Sequence, residues 1–181
     1  YRLAALSWMF RHSKIAWDSL FQASVLLVLR KHGITEGILA ADDSDCRRAK
    51  KTKRIFKAYK LFDKKTSGYF NGQTLVFLLL ITPKVTVPVG FRFYQADPAQ
   101  IAWQRNDQKL KRAGVKKSER PAAPAPNASY PGKAALVLEL IQTFKRYHSA
   151  IKIKAVVADA LFGTQAFMDE ASIFAGDVQV I

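Results

Sequence analysis

The chain has 181 residues, 49% of them hydrophobic and 24% charged, which suits one domain with a hydrophobic core and is too short for two large ones. That composition excludes wholesale disorder, and a single cysteine, Cys46, excludes a disulfide framework and a cysteine-only zinc site. The 29 Lys and Arg outnumber the 14 Asp and Glu for a net charge of +15, a balance that points to a polyanionic partner, most often nucleic acid.

The positive excess is concentrated. Residues 47–65 hold ten Lys/Arg against one acid, and residues 105–120 hold seven against two, so these two stretches carry nearly all of the net charge. Charge placed for solubility would be spread over the surface. Two blocks suggest two surfaces that touch phosphates, each contact releasing counterions, with a pair of solvated loops as the alternative. His12, His32 and His148 lack metal-ligand spacing. The apolar runs at 23–29 and 75–81 are too short for a membrane span, and Phe10-Arg11-His12 interrupts any secretory signal. A start at Tyr1 and an end at Val178-Gln179-Val180-Ile181, which reads as an unfinished strand, suggest a piece of a longer protein.

In chain order, Ser13 is expected to cap a helix running to about Lys31, with Gly33 as its left-handed stop. Trp8 and Trp17 are expected in the core. Residues 1–33 form a helical N-terminal segment. Ile38-Leu39-Ala40-Ala41 reads as a short strand ending at Asp42, and the basic stretch after it as an irregular or partly helical excursion. From Gly68 the pattern turns to β: Thr74–Ile81 is a continuous apolar strand, and Val85–Tyr94 alternates with period two. Pro88 places this second strand at an edge or a bulge. Residues 96–133 read as a basic, Pro-rich connection, functional or disordered. An amphipathic helix follows over about 133–148, then a buried strand over 152–158, a helix from Gly163-Thr164, and a further strand from Val178. The order β-β-β-α-β-α-β implies an α/β fold with a mixed sheet, over residues 34–181.

Two strands end alike, Ile38-Leu39-Ala40-Ala41-Asp42 and Val156-Val157-Ala158-Asp159. Strand ends are where an α/β sheet opens to ligand. If the two strands are neighbours, their carboxylates converge and require a cation between them; with oxygen ligands that cation is Mg²⁺ or Mn²⁺. The plainer reading is that Asp159 caps the next helix or turn.

Gly37-Ile38-Leu39-Ala40-Ala41-Asp42-Asp43-Ser44, the basic stretch, the hairpin at 68–94, Tyr130-Pro131-Gly132-Lys133 and Ala155-Val156-Val157-Ala158-Asp159-Ala160-Leu161-Phe162-Gly163-Thr164 together resemble the bacterial insertion-sequence transposases of the aspartate–aspartate–glutamate (DDE) type. The resemblance covers about residues 13–181 and implies a ribonuclease-H-like catalytic domain. It implies two catalytic, metal-binding aspartates, Asp42 and Asp159, with Asp43 as the rival for the first, since a one-residue strand shift exchanges the pair. It implies a two-metal site of Mg²⁺ or Mn²⁺ and double-stranded DNA as partner, both element ends and target. It also implies assembly as a homo-oligomer on that DNA, in the bacterial cytoplasm, with no membrane. The third acid should follow the fifth strand of that fold; Asp169, Glu170 and Asp177 come too early for it, so the domain is expected to be C-terminally incomplete and inactive alone.

Arg47, Arg48, Lys50, Lys51, Lys53 and Arg54 would lie beside the site and grip DNA phosphates, or form a flexible loop. The 105–120 block could track DNA or be a plain linker. Trp103 is expected to anchor its loop, and His148 to favour a helix dipole. Two alternatives stay open: a related ribonuclease-H-like nuclease, and a non-catalytic basic nucleic-acid-binding protein.

Overall fold

The structure is a computed structural model that describes residues 3–49, 55–63 and 65–181. Two helices open the chain, α1 (Leu3–His12) and α2 (Trp17–Lys31). Four strands follow: β1 (Glu36–Arg47), β2 (Tyr59–Asp63), β3 (Gly68–Ile81) and β4 (Thr86–Tyr94). Then come α3 (Pro98–Arg112), α4 (Lys133–Tyr147), β5 (Lys152–Ala158), α5 (Gln165–Ala175) and β6 (Gln179–Val180).

The six strands form one mixed sheet in the order β2-β3-β1-β5-β6, with β4 also on β3. The long β3 pairs antiparallel with β1 along one edge. Its other edge is divided between β2, opposite residues 68–72, and β4, opposite residues 74–81. β1 and β5 run parallel, as do β5 and β6. Both parallel crossovers, β4-α4-β5 and β5-α5-β6, step in the same direction across the sheet, so right-handed connections lay α4 and α5 on one face. There they bury Leu39 and Ala41 of β1, Val76, Leu78 and Leu80 of β3, and Val156 of β5 against Leu136, Val137, Leu140, Ile141 and Phe144 of α4. Close approach explains Gly90: a Cβ there would meet Leu140 Cδ2 at 2.8 Å.

α2 lies along β4, the edge of this half of the sheet. Gln22 Nε2 donates to Val89 O at 3.3 Å, and Phe21 meets Phe91 edge to face at 5.7 Å. β4 is bulged beside Pro88, where the register skips Val89, as the proline requires. Covering this strand with a helix protects the sheet from pairing with another chain.

Several expected elements differ from those observed. The N-terminal helix is two helices broken at 13–16; Ser13 lies in the break and does not cap α2. Gly33 does take the left-handed conformation, at φ +57°. Trp8 and Trp17 are 64% and 55% exposed, not core; Trp8 lies tilted against His12, and Trp17 stacks on Phe10. β1 does not end at Asp42 but continues to Arg47, because β3 offers backbone partners as far as Gly72. The basic excursion contains β2, and the Pro-rich connection contains α3, capped by Asp97 with Pro98 at its first position. His148 does not act as a charge at the end of α4. It is buried at 4% exposure, bonded through Nε2 to Gln22 Oε1 at 2.8 Å, and burial lowers its pKa, which keeps it neutral.

Candidate active site

β1 begins with an apolar alternation and ends with a polar one. Gly37, Leu39 and Ala41 are buried under the helices, and Asp43 and Asp45 continue that face beyond them, while Asp42 and Ser44 lie on the opposite face. The parallel register of β1 with β5 runs Leu39–Val156, Ala40–Val157, Ala41–Ala158. One step further along each strand stand Asp42 and Asp159. Asp159 keeps an extended backbone, at φ −63° and ψ 156°, and so continues the line of β5 one residue past Ala158. Both residues are exposed.

The two carboxylates differ in what they already hold. Asp42 Oδ1 accepts from the Asp43 amide at 2.7 Å, which fixes its rotamer beside its own strand. Asp159 makes no capping hydrogen bond to the turn after it, and the helix α5 is capped instead by Thr164, whose Oγ1 accepts from Phe167 N. The plain capping role is therefore not what occupies Asp159.

Asp43, one residue along, occupies a different environment. Its Oδ2 receives Lys133 Nζ at 2.8 Å, and the same ammonium lies 5.4 Å from the centre of the Tyr94 ring. Lys133 is the first residue of α4, so the crossover delivers its charge to the end of β1. Beyond it, Thr74 Oγ1 donates to Asp45 Oδ1 at 2.6 Å and lies 2.8 Å from the Tyr59 hydroxyl. With its own proton on Asp45, Thr74 accepts from Tyr59. Burial raises the pKa of the Tyr59 phenol; the Thr74 bond opposes the shift, and the neighbouring Tyr94, Asp45 and Asp43 add to it, so the phenol stays protonated. Lys133, Thr74 and Tyr59 were given no role from sequence. The available signal was parity, because Asp43 and Asp45 share the face of Leu39 and Ala41 once the strand is allowed to continue.

Of the expected DNA-binding residues, Arg47 and Arg48 are described and exposed. Arg47 pairs with Asp63, and its guanidinium lies 4.4 Å from the centre of the Phe70 ring. Arg48 Nε donates to Gln73 Oε1 at 2.7 Å. Both are thus held on the β2–β3 hairpin at the end of β1, and each guanidinium has more N–H donors than these contacts use. Lys50, Lys51, Lys53 and Arg54 lie outside the described residues. Among the described residues no three His, Cys, Asp or Glu side chains stand together as a metal-holding group, and no helix is long and apolar enough to cross a membrane. The donor chemistry of Asp42 and Asp159, two exposed carboxylates one residue past the registered pair Ala41–Ala158, fits a hard divalent cation, of which they could be two ligands.

No curated protein and no solved structure matches the chain. The family described as DDE superfamily endonuclease matches over residues 4–173. That span takes in the whole sheet except β6, with both aspartates and the crossover helices. The mixed sheet, its strand order and this match agree on a ribonuclease-H-like domain, and the chain belongs to the DDE superfamily endonucleases.

Proposed function

We propose that this chain is the catalytic core of a bacterial insertion-sequence DNA transposase, in which Asp42 and Asp159 hold divalent metal, Mg²⁺ or Mn²⁺. The observation that supports the reading is the parallel register of β1 and β5, in which Asp42 and Asp159 each follow the last registered pair, Ala41 and Ala158, in a chain of the DDE family. Bound there, the metal would supply charge neutralisation and activation of the attacking oxygen at a phosphodiester. The chain's own contribution is to set the carboxylates on rigid strands, with Asp42 held in one rotamer by the Asp43 amide. Arg47 and Arg48 would hold DNA phosphates beside the site, together with Lys50, Lys51, Lys53 and Arg54. The enzyme would work in the cytoplasm as a homo-oligomer on element ends and target, and a third acid outside the residues assigned here would complete the site. Asp43 is the alternative first ligand, and its ion pair with Lys133 argues for Asp42.

Calorimetric titration of Mn²⁺ tests the assignment. Binding should be lost in Asp42→Asn and in Asp159→Asn and retained in Asp43→Asn. Loss in Asp43→Asn with retention in Asp42→Asn would transfer the first role to Asp43. Binding indifferent to both Asp42→Asn and Asp159→Asn would remove the catalytic assignment and leave a basic nucleic-acid binder as the better account.

A further inference from the structure

The two basic blocks, 40 residues apart in sequence, meet in space. α3 leaves the sheet directly after β4, whose last residue, Tyr94, pairs with Thr74 at the carboxylate end of the sheet. Unlike α2, α4 and α5, it has no buried residue, so its existence owes little to the core. Its inner side is fastened to its own return segment. Trp103 Nε1 donates to Pro121 O at 2.8 Å, and Arg120, with its side chain 13% exposed, pairs with Asp107 at 2.8 Å. A helix pinned to a Pro-rich return is a rigid arm rather than a linker.

The exposed side carries its cations among neutral residues, Gln104, Asn106 and Gln108, and no exposed acid. Arg105, Lys109 and Arg112 stand four and three residues apart and so form one stripe, all exposed and without an ion pair among the described residues. The one acid of the helix, Asp107, is turned inward to Arg120. Like charges at this spacing destabilise a helix by a few tenths of a kcal/mol each, roughly, and a helix built for solubility would interleave glutamates. At the base of the arm a cleft of about 320 Å³ is lined by Tyr59 and Lys60 of β2 on one side and by Ile101, Ala102 and Arg105 of α3 on the other. Lys60 belongs to the first basic block and Arg105 to the second.

From this we infer that Lys60 and the α3 stripe form one continuous track for the phosphates of duplex DNA, distinct from the aspartate pair and independent of sequence. The stripe from residue 105 to 112 rises about 10 Å at ~1.5 Å per residue. Duplex DNA presents a phosphate about every 1.7 Å of axis, so each cation can face a different one. The inference rests on the DNA-processing reading for its partner, and on geometry alone for its position.

The test is fluorescence anisotropy of a labelled 30-base-pair duplex of arbitrary sequence, without divalent metal, between about 50 and 200 mM NaCl. Each phosphate contact contributes about 0.9 to the slope of log affinity against log salt. The exposed triple variant R105A/K109A/R112A should lose about 2–3 from that slope and at least tenfold in affinity near 0.1 M salt, and Lys60→Ala about 1 from the slope. If the wild-type chain binds duplex and the triple variant keeps its slope, the track is refuted while the aspartate site stands. If the wild-type chain binds no duplex and prefers single-stranded RNA or an acidic protein, the track and the DNA-processing reading fail together.

Discussion

Lys133 and Lys154 each hold a carboxylate, yet their surroundings make the two ion pairs unequal. The Lys133–Asp43 side chains are 25% and 19% exposed, whereas those of Lys154 and Glu36 are 52% and 46% exposed. An exposed pair is screened by water and contributes about 0–1 kcal/mol. A half-desolvated one strands its partner when broken, at a cost of about 1–3 kcal/mol. A double-mutant cycle with Lys133→Met and Asp43→Asn, followed by urea unfolding, should therefore give a coupling of about 1–3 kcal/mol. The same cycle on Lys154→Met and Glu36→Gln should give less than about 1 kcal/mol. Equal couplings would mean that Lys133 is not held at the end of β1. No local pattern announces the Lys133 contact, because its partner lies 90 residues away and only the crossover joins them. Asp42 and Asp159, by contrast, each end an apolar run of the kind that reads directly as a buried strand, and those two strands do pair, in parallel.

At the scale of elements, His148 joins three of them. It closes α4, bonds Gln22 of α2, and Gln22 in turn donates to Val89 of β4. Since Gln22 uses its amide on Val89, its Oε1 must accept from a protonated Nε2, which leaves Nδ1 bare and buried. Protonating that nitrogen would bury an unpaired charge. His148 thus has a folded-state pKa below its ordinary value of 6.5. The unfolded chain binds a proton more readily, so stability is complete above about pH 6.5 and falls as pH drops from there toward the folded pKa. Thermal melts from pH 7.5 to 5 should show the decline, and His148→Gln should flatten that part of it; an equal decline in the variant would place its origin in other groups. β5 and α4 were legible in sequence because an apolar run and a clean amphipathic stripe specify them. β2 and the second half of β1 were not, since their polar residues carry no alternation and only the length of β3 gives them partners. α3 did carry a signal, Asp97 followed by Pro98, that the surrounding polar and Pro-rich sequence obscured.

For the molecule as a whole, the sheet and its two crossovers followed from element order and handedness, whereas the arm and the meeting of the basic blocks depend on where an uncovered helix rests. Charge acts at this scale too. Among the described residues only Arg47, Arg92, Arg120, Lys133 and Lys154 have acidic partners, and the chain as a whole carries +15. Unpaired cations on one compact body repel, and folding brings them closer than the unfolded chain does. Salt shortens the reach of that repulsion, from about 30 Å at 0.01 M to about 8 Å at 0.15 M ionic strength. Relief of 1–2 kcal/mol would raise the Tm of a domain this size by about 2–8 °C. NaCl should therefore stabilise the free chain over the same range in which it weakens duplex binding. Differential scanning fluorimetry from 10 to 150 mM NaCl checks the first half, and a flat or falling Tm would show that self-repulsion is not what the fold works against. The two trends have one cause, since the cations left without acids in the free chain are the ones a phosphate backbone would neutralise, and DNA should stabilise the chain most where salt stabilises it least.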